Sequence, residues 1–94
     1  MANYIMAISI NPEAKKDHPD LSHYVNESFE VFTKMELKVN NVFATLGRYD
    51  FLIVFDADSH DDVFKTASEI NSKGILKTET WPVIPYDDFS KLLG

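Results

Sequence analysis

Residues 45–57 read TLGRYDFLIVFDA, with a glycine, an arginine, a tyrosine and an aspartate directly ahead of five large apolar residues. The apolar run at 51–55 is typical of a strand covered on both faces, because a strand with one wet face alternates apolar and polar residues. Residues 39–46 have the composition of a second strand, so residues 47–50 are predicted to join two strands in a hairpin.

The size and charge of the chain limit its fold and its partners. Its 94 residues suit one domain, residues 1–94, which buries about 60 to 65% of the surface that the unfolded chain exposes. The absence of cysteine excludes disulfides and thiolate metal sites. Nine Lys and Arg against fifteen Asp and Glu oppose the neutralisation of phosphates, so no nucleic acid partner is expected.

The N-terminal residues contain no basic segment followed by an apolar one, which a signal peptide requires. The longest strongly apolar run, at 51–55, is too short to cross a bilayer. We therefore expect a cytoplasmic location and no membrane partner.

Periodicity predicts a strand and a helix before the hairpin. The β-rich residues 4–10 end at Asn11-Pro12, a turn pair that does not continue a strand. Apolar residues then recur at three- and four-residue spacing over about 19–36, which indicates a helix with Pro19 and Asp20 in its first turn.

A second helix follows the hairpin. Asp58 or Ser59 is predicted to cap it, and the acidic Asp61 and Asp62 lie in its first turn, where the helix dipole favours anions. Gly74 is the predicted left-handed residue that ends it.

The last strand is predicted at residues 75–83, and a short helix at 87–93. Pro82 has no N–H to give to a neighbouring strand, so this strand is expected at an edge of the sheet. The order βαββαβ with right-handed crossovers predicts an α+β, ferredoxin-like fold, with a four-stranded antiparallel sheet and two helices on one face.

Two helices cover one face of such a sheet, yet the strands at 4–10 and 51–55 are apolar on both faces. If it stayed exposed to water, the second face would form an apolar patch larger in area than a monomer usually tolerates. A second copy, stacked face to face about a twofold axis, would bury about 800 Å² per chain or more. We expect a homodimer or an assembly of dimers, with each dimer forming an eight-stranded α+β barrel.

The hairpin motif at 47–50, the acid-capped helix after it and the segment GILKTET at 74–80 resemble the GYD domain family, whose signature is Gly-x-Tyr-Asp-like. More distantly, the chain is similar to the effector-binding domain of leucine-responsive and asparagine-responsive transcription regulators. The resemblance covers residues 4–84. It implies a dimeric ferredoxin-like domain whose hairpin lies near the subunit interface.

The hairpin also contains candidate ligand-binding residues. Gly47 is predicted to supply a positive φ, and Asp50 to accept backbone N–H groups in an Asx-type turn. Arg48 is the sole arginine of the chain, and a guanidinium binds a carboxylate through two parallel hydrogen bonds. With Tyr49 it suggests a site for a small anionic or amino-acid-like ligand, the alternative being a plain turn with a solvated arginine.

Thr78 and Thr80, on the last strand, are predicted to contribute to the same cleft. The histidines, His18, His23 and His60, have no spacing that places two of them on one helix face for a metal. We therefore expect no metal and no cofactor.

Three classes of function remain open. The first is a non-enzymatic, regulatory dimer that binds a small molecule in a cleft between subunits. The second is a cofactor-free isomerase or monooxygenase of the dimeric α+β barrel type, with a His, Tyr or Asp in an apolar cavity as acid or base. The third is a structural assembly module. No nucleophile motif or phosphate loop is present, which argues against an enzyme.

Overall fold

The computed structural model of the protein describes residues 2–14 and 21–94. Its strands and helices, in chain order, are β1 (Ala2–Ile10), α1 (Leu21–Lys34), β2 (Lys38–Ala44), β3 (Phe51–Ala57), α2 (His60–Asn71), β4 (Leu76–Val83) and α3 (Tyr86–Leu92). The strands form one antiparallel sheet in the order β2-β3-β1-β4. This split βαβ arrangement confirms the predicted α+β, ferredoxin-like fold, with Pro82 on an edge strand.

The ends of α2 lie where the sequence predicts them. Ser59 has extended backbone, and its Oγ accepts the N–H of Asp61 at 3.1 Å, so Ser59 is the N-cap. Gly74 follows the helix at a φ of 71°, and its N–H donates to the carbonyl of Asn71 at 3.0 Å. The predicted cap and the left-handed stop are both confirmed.

The first helix ends two residues earlier than predicted, at Lys34 instead of Glu36. Glu36 takes a left-handed conformation, with a φ of 58°, and the N–H of Leu37 donates back to the carbonyl of Phe32. A left-handed residue ends a helix, and glycine usually marks it, so no local signal identified Glu36. His18, Pro19 and Asp20, predicted at or before the start of this helix, lie outside the described residues.

The core lies between the sheet and the two helices α1 and α2. Met6 on β1, Ile53 and Phe55 on β3, and Phe32 on α1 have no exposed surface. The rings of Phe32 and Phe55 meet edge to face, with centroids 5.0 Å apart. Burial of each of these side chains contributes about 1.5 to 3 kcal/mol in favour of folding.

The opposite face of the sheet, called here the open face, is also apolar. Ile5 pairs with Val54, and Ala7 with Leu52, so these side chains point away from the core. Ile5, Leu52 and Val54 are half-buried, and Phe43 on β2 is 51% exposed. The apolar second face that the sequence predicts is therefore present.

The last helix, α3, has no buried residue. Its apolar side chains are exposed, namely Tyr86, Phe89, Leu92 and the adjoining Leu93. Within residues 2–14 and 21–94, no helix combines the length and apolar character needed to span a membrane.

Candidate functional site

The hairpin between β2 and β3 is fixed to β1 by Asp50. The Oδ2 atom of Asp50 accepts the N–H of Ile10 at 2.8 Å, and its own N–H donates to the carbonyl of Ile8 at 2.9 Å. Its carbonyl accepts the N–H of Thr45 at 2.9 Å, which closes the loop. Asp50 does accept a backbone N–H, as predicted, but from a strand 40 residues away rather than from its own turn.

Gly47 does not have the predicted positive φ. Among the described glycines, only Gly74 and Gly94 have one. The connection spans residues 45–50, and the side chain of Thr45 donates to the carbonyl of Tyr49. A loop of this length does not need the left-handed residues of a two-residue turn, which is why the prediction was wrong.

Four side chains meet beside the loop at residues 45–50, and we call them the hairpin cluster: Arg48, Tyr49, Glu79 and Trp81. The phenol of Tyr49 donates to Glu79 Oε2 at 2.5 Å, and the indole N–H of Trp81 donates to Glu79 Oε1 at 2.9 Å. The rings of Tyr49 and Trp81 meet edge to face at 5.7 Å. Both oxygens of the Glu79 carboxylate are thus held in place by aromatic donors.

Sequence reasoning did not identify Glu79 as a member of this site. The sequence did contain a sign of it: Glu79 and Trp81 are two residues apart on a predicted strand, so their side chains share one face of the sheet. Their partners in the sheet, Ala7 and Ile5, place that face on the open side.

Thr78 and Thr80 lie on the other face of the sheet. They pair with Ile8 and Met6, which are buried in the core, so their side chains point toward the helices. Strand side chains alternate, so both threonines face away from Glu79. The structure therefore brings Arg48 and Tyr49 together with Glu79, and places the two threonines in a cleft between α2 and β4.

A scan against protein-family models matches residues 4–93 to the GYD domain. The chain belongs to the GYD domain family. Among solved structures, this GYD domain is similar to the crystal structure of MtbAldR, a regulator of the leucine-responsive and asparagine-responsive family, with a TM-score of 0.63 and 12% identity. The match covers 89% of the GYD chain and 53% of the regulator, so the chain spans about half the length of that protein.

At this identity the match to the regulator shows a shared fold. It confirms the fold that the more distant resemblance implies. No curated protein matches the chain significantly.

The hydrogen bonds of the GYD domain's hairpin cluster reinforce the ordinary charges of Glu79 and Tyr49 at neutral pH. The bonds from Tyr49 and Trp81, and then the charge of Arg48, hold the pKa of Glu79 below its ordinary value of 4.5. The hydrogen bond to Glu79 raises the pKa of Tyr49 above 10.0, an effect that Arg48 partly opposes. At neutral pH the cluster presents a carboxylate, a neutral phenol and a guanidinium.

Across the described part of the chain, no three or more His, Asp or Glu side chains are grouped so that they can hold a metal ion. The groups of the hairpin cluster can form ion pairs and hydrogen bonds.

Proposed function

We propose that this GYD domain acts as a homodimer, or an assembly of dimers, that binds a small amino-acid-like or anionic molecule at the hairpin cluster and has a regulatory role. The observation that carries the proposal is the placement of Arg48 and Glu79, with opposite charges, beside an apolar sheet face that the two packed helices leave open.

The open face supports the dimer. Ile5, Leu52 and Val54 form a continuous apolar surface by their register, and Phe43 extends it across β2. An apolar surface of this kind is stabilised by removal from water, and a second copy offers a surface of the same shape and chemistry. A face-to-face dimer would bring the partner's sheet alongside the hairpin cluster, so that the ligand would lie at the subunit boundary.

The hairpin cluster supports the class of ligand. The exposed guanidinium of Arg48 suits a carboxylate, which it can bind with two parallel hydrogen bonds. Glu79 supplies a negative charge for an ammonium group, although its oxygens already accept two hydrogen bonds. A carboxylate oxygen accepts more than one, so an amino acid satisfies both charges of the cluster.

Thermal unfolding in the presence of single amino acids and small carboxylates tests the ligand. We expect at least one compound to raise the melting temperature of the wild type, and Arg48→Ala to abolish that rise. Lys65→Ala, which removes an exposed lysine on α2, is the matched control and should respond like the wild type. If no compound stabilises the wild type, or Arg48→Ala responds as strongly, ligand binding at this cluster is wrong.

Light scattering coupled to gel filtration tests the oligomer separately. We expect a mass of at least twice the 10.7 kDa of the chain at micromolar concentration. A mass of one chain would contradict the dimer and leave the test of the ligand unaffected.

A further inference from the structure

We propose that the cleft between α2 and β4 is a second binding site, for a small, uncharged and mostly apolar molecule that carries one hydroxyl or carbonyl group. The cleft has a volume of about 440 Å³, within the range of small-molecule pockets. It is lined by side chains of α2 and β4 and by Tyr4 of β1.

The walls of the cleft are apolar and uncharged. Val63, Phe64 and Ala67 line it from α2, and Pro82 from β4. Phe64 is 73% exposed, so a ligand in the cleft would remove an aromatic surface from water. Among the described residues that line the cleft, none is Asp, Glu, Lys or Arg, which disfavours the charged ligand proposed for the hairpin cluster.

One end of the cleft offers unused hydrogen-bonding capacity. The Oη atom of Tyr4, a residue only 3% exposed, lies 2.6 Å from Nδ1 of His60. If the Tyr4 hydroxyl donates to Nδ1, neutral His60 keeps its Nε2 hydrogen as a donor, and the Tyr4 oxygen keeps a lone pair as an acceptor. If Nδ1 donates to the Tyr4 oxygen instead, the hydroxyl hydrogen is the free donor and Nε2 is a free acceptor. The pair can therefore bind a hydroxyl group or a carbonyl group.

Thr80 adds a second polar group close to this pair. Thr80 is two residues from Pro82, which pairs with Tyr4, so the side chains of Thr80 and Tyr4 are diagonal neighbours on one face. The Oγ1 atom of Thr80 is shielded from water and has no hydrogen-bond partner in the described structure. A rotation of 120° about χ1 moves the hydroxyl to another staggered position, where a ligand acceptor would satisfy it.

At the other end of the cleft, both amide hydrogens of Asn71 are already used in hydrogen bonds within the protein. The amide of Asn71 donates to Thr78 Oγ1 at 2.7 Å and to the carbonyl of Ala67 at 2.6 Å, and accepts the N–H of Thr78 at 3.0 Å. Asn71 thus joins α2 to β4 and has no hydrogen left for a ligand. The polar group of the ligand is therefore directed toward Tyr4, His60 and Thr80.

A titration with 2-naphthol, followed by two-dimensional amide NMR on the full chain, tests the proposal, with naphthalene as the matched compound that lacks the hydroxyl. We expect 2-naphthol to shift the amides of Val63, Phe64, Ala67 and Thr80 while those of Tyr49 stay in place. Because naphthalene lacks the hydroxyl and so loses one hydrogen bond, it should bind about fivefold more weakly than 2-naphthol.

Two variants and one control locate the site. Ala67→Phe should fill the cleft and abolish the shifts, and Thr80→Val, which keeps the shape of the side chain, should weaken 2-naphthol about threefold to tenfold. Tyr49→Phe, in the hairpin cluster, should bind 2-naphthol like the wild type.

The titration of the wild type decides the outcome even where a variant does not fold. If 2-naphthol leaves the cleft amides unmoved, or naphthalene binds equally well, the Tyr4–His60 pair serves only to hold α2 against β1 and the proposal is overturned. Ligand binding at the hairpin cluster does not depend on this result.

Discussion

The two faces of the sheet have nearly the same composition and different environments. On β3, Ile53 and Phe55 have no exposed surface, whereas their neighbours Leu52 and Val54 are half-buried on the open face. The five apolar residues at 51–55 read as one uniform strand in the sequence. The difference shows that the helices of one chain cover only one face of the sheet. The second face keeps an apolar surface that another molecule can cover.

A charge placed on the covered face gives the largest expected effect. Ile53→Lys buries an ammonium group among Met6, Phe32 and Phe55, with no partner charge in the described core. We expect a loss of roughly 3 to 5 kcal/mol of unfolding free energy, or failure to fold, since this is the cost of an unpaired buried charge. Circular dichroism with urea unfolding measures it, and native stability in this variant would contradict the packing of β3.

The same change one residue away tests the open face. Val54→Lys should leave the chain folded, with unchanged circular dichroism, and shift the oligomer to a single-chain mass in light scattering. The lysine can reach water in the monomer but is buried in a face-to-face dimer. A Val54→Lys variant that stays dimeric would show that the two open faces do not meet.

Asp50 holds the open-face hairpin against β1. Asp50→Ala removes the acceptor for the N–H of Ile10, so we expect a loss of about 1 to 3 kcal/mol in the free energy of unfolding. Asp50→Asn keeps an oxygen at the same position and should lose less. Equal losses in the two variants, measured by urea unfolding, would show that the charge matters and the hydrogen bond does not.

The carboxylate of the open face should make stability depend on pH. The pKa of Glu79 is lowered in the folded state by Tyr49 and Trp81, so the folded protein binds this proton less readily than the unfolded chain. The contribution of Glu79 is therefore present above pH 4.5 and is lost as the pH falls through the lowered pKa. The stability difference between the wild type and Glu79→Gln should shrink over this window. A difference that does not change with pH would contradict the hydrogen bonds to Glu79.

The smallest effect is expected at Gly47. A methyl group there meets no atom within 4 Å, and no positive φ has to be kept, so Gly47→Ala should be neutral or stabilise by about 0.4 to 1 kcal/mol. Gly74→Ala is the contrasting control, since its φ of 71° makes alanine destabilising, by about 1 kcal/mol. Thermal unfolding compares the two. A destabilised Gly47→Ala would show that the glycine is needed in a conformation other than this one.

Much of the fold follows from local patterns. Ser59 and Gly74 mark the ends of α2 because caps and left-handed stops act within a few residues of the helix they end. The end of α1 at Lys34 was missed because the left-handed residue that follows it, Glu36, is not a glycine.

The sequence alone determined the order of the elements, the GYD motif and the apolar character of both sheet faces, since each of these is written in neighbouring residues or in a period of two or 3.6. Tertiary structure alone decided that Tyr49 meets Glu79, that Asp50 binds Ile10, and that Thr78 and Thr80 face the helices. The first two contacts join residues that are 30 and 40 positions apart in the chain. The position of the threonines depends on strand register, because a shift of one residue along the strand moves each side chain to the opposite face of the sheet. Local pattern does not fix register, so the site had to be located by the packing of β1, β3 and β4.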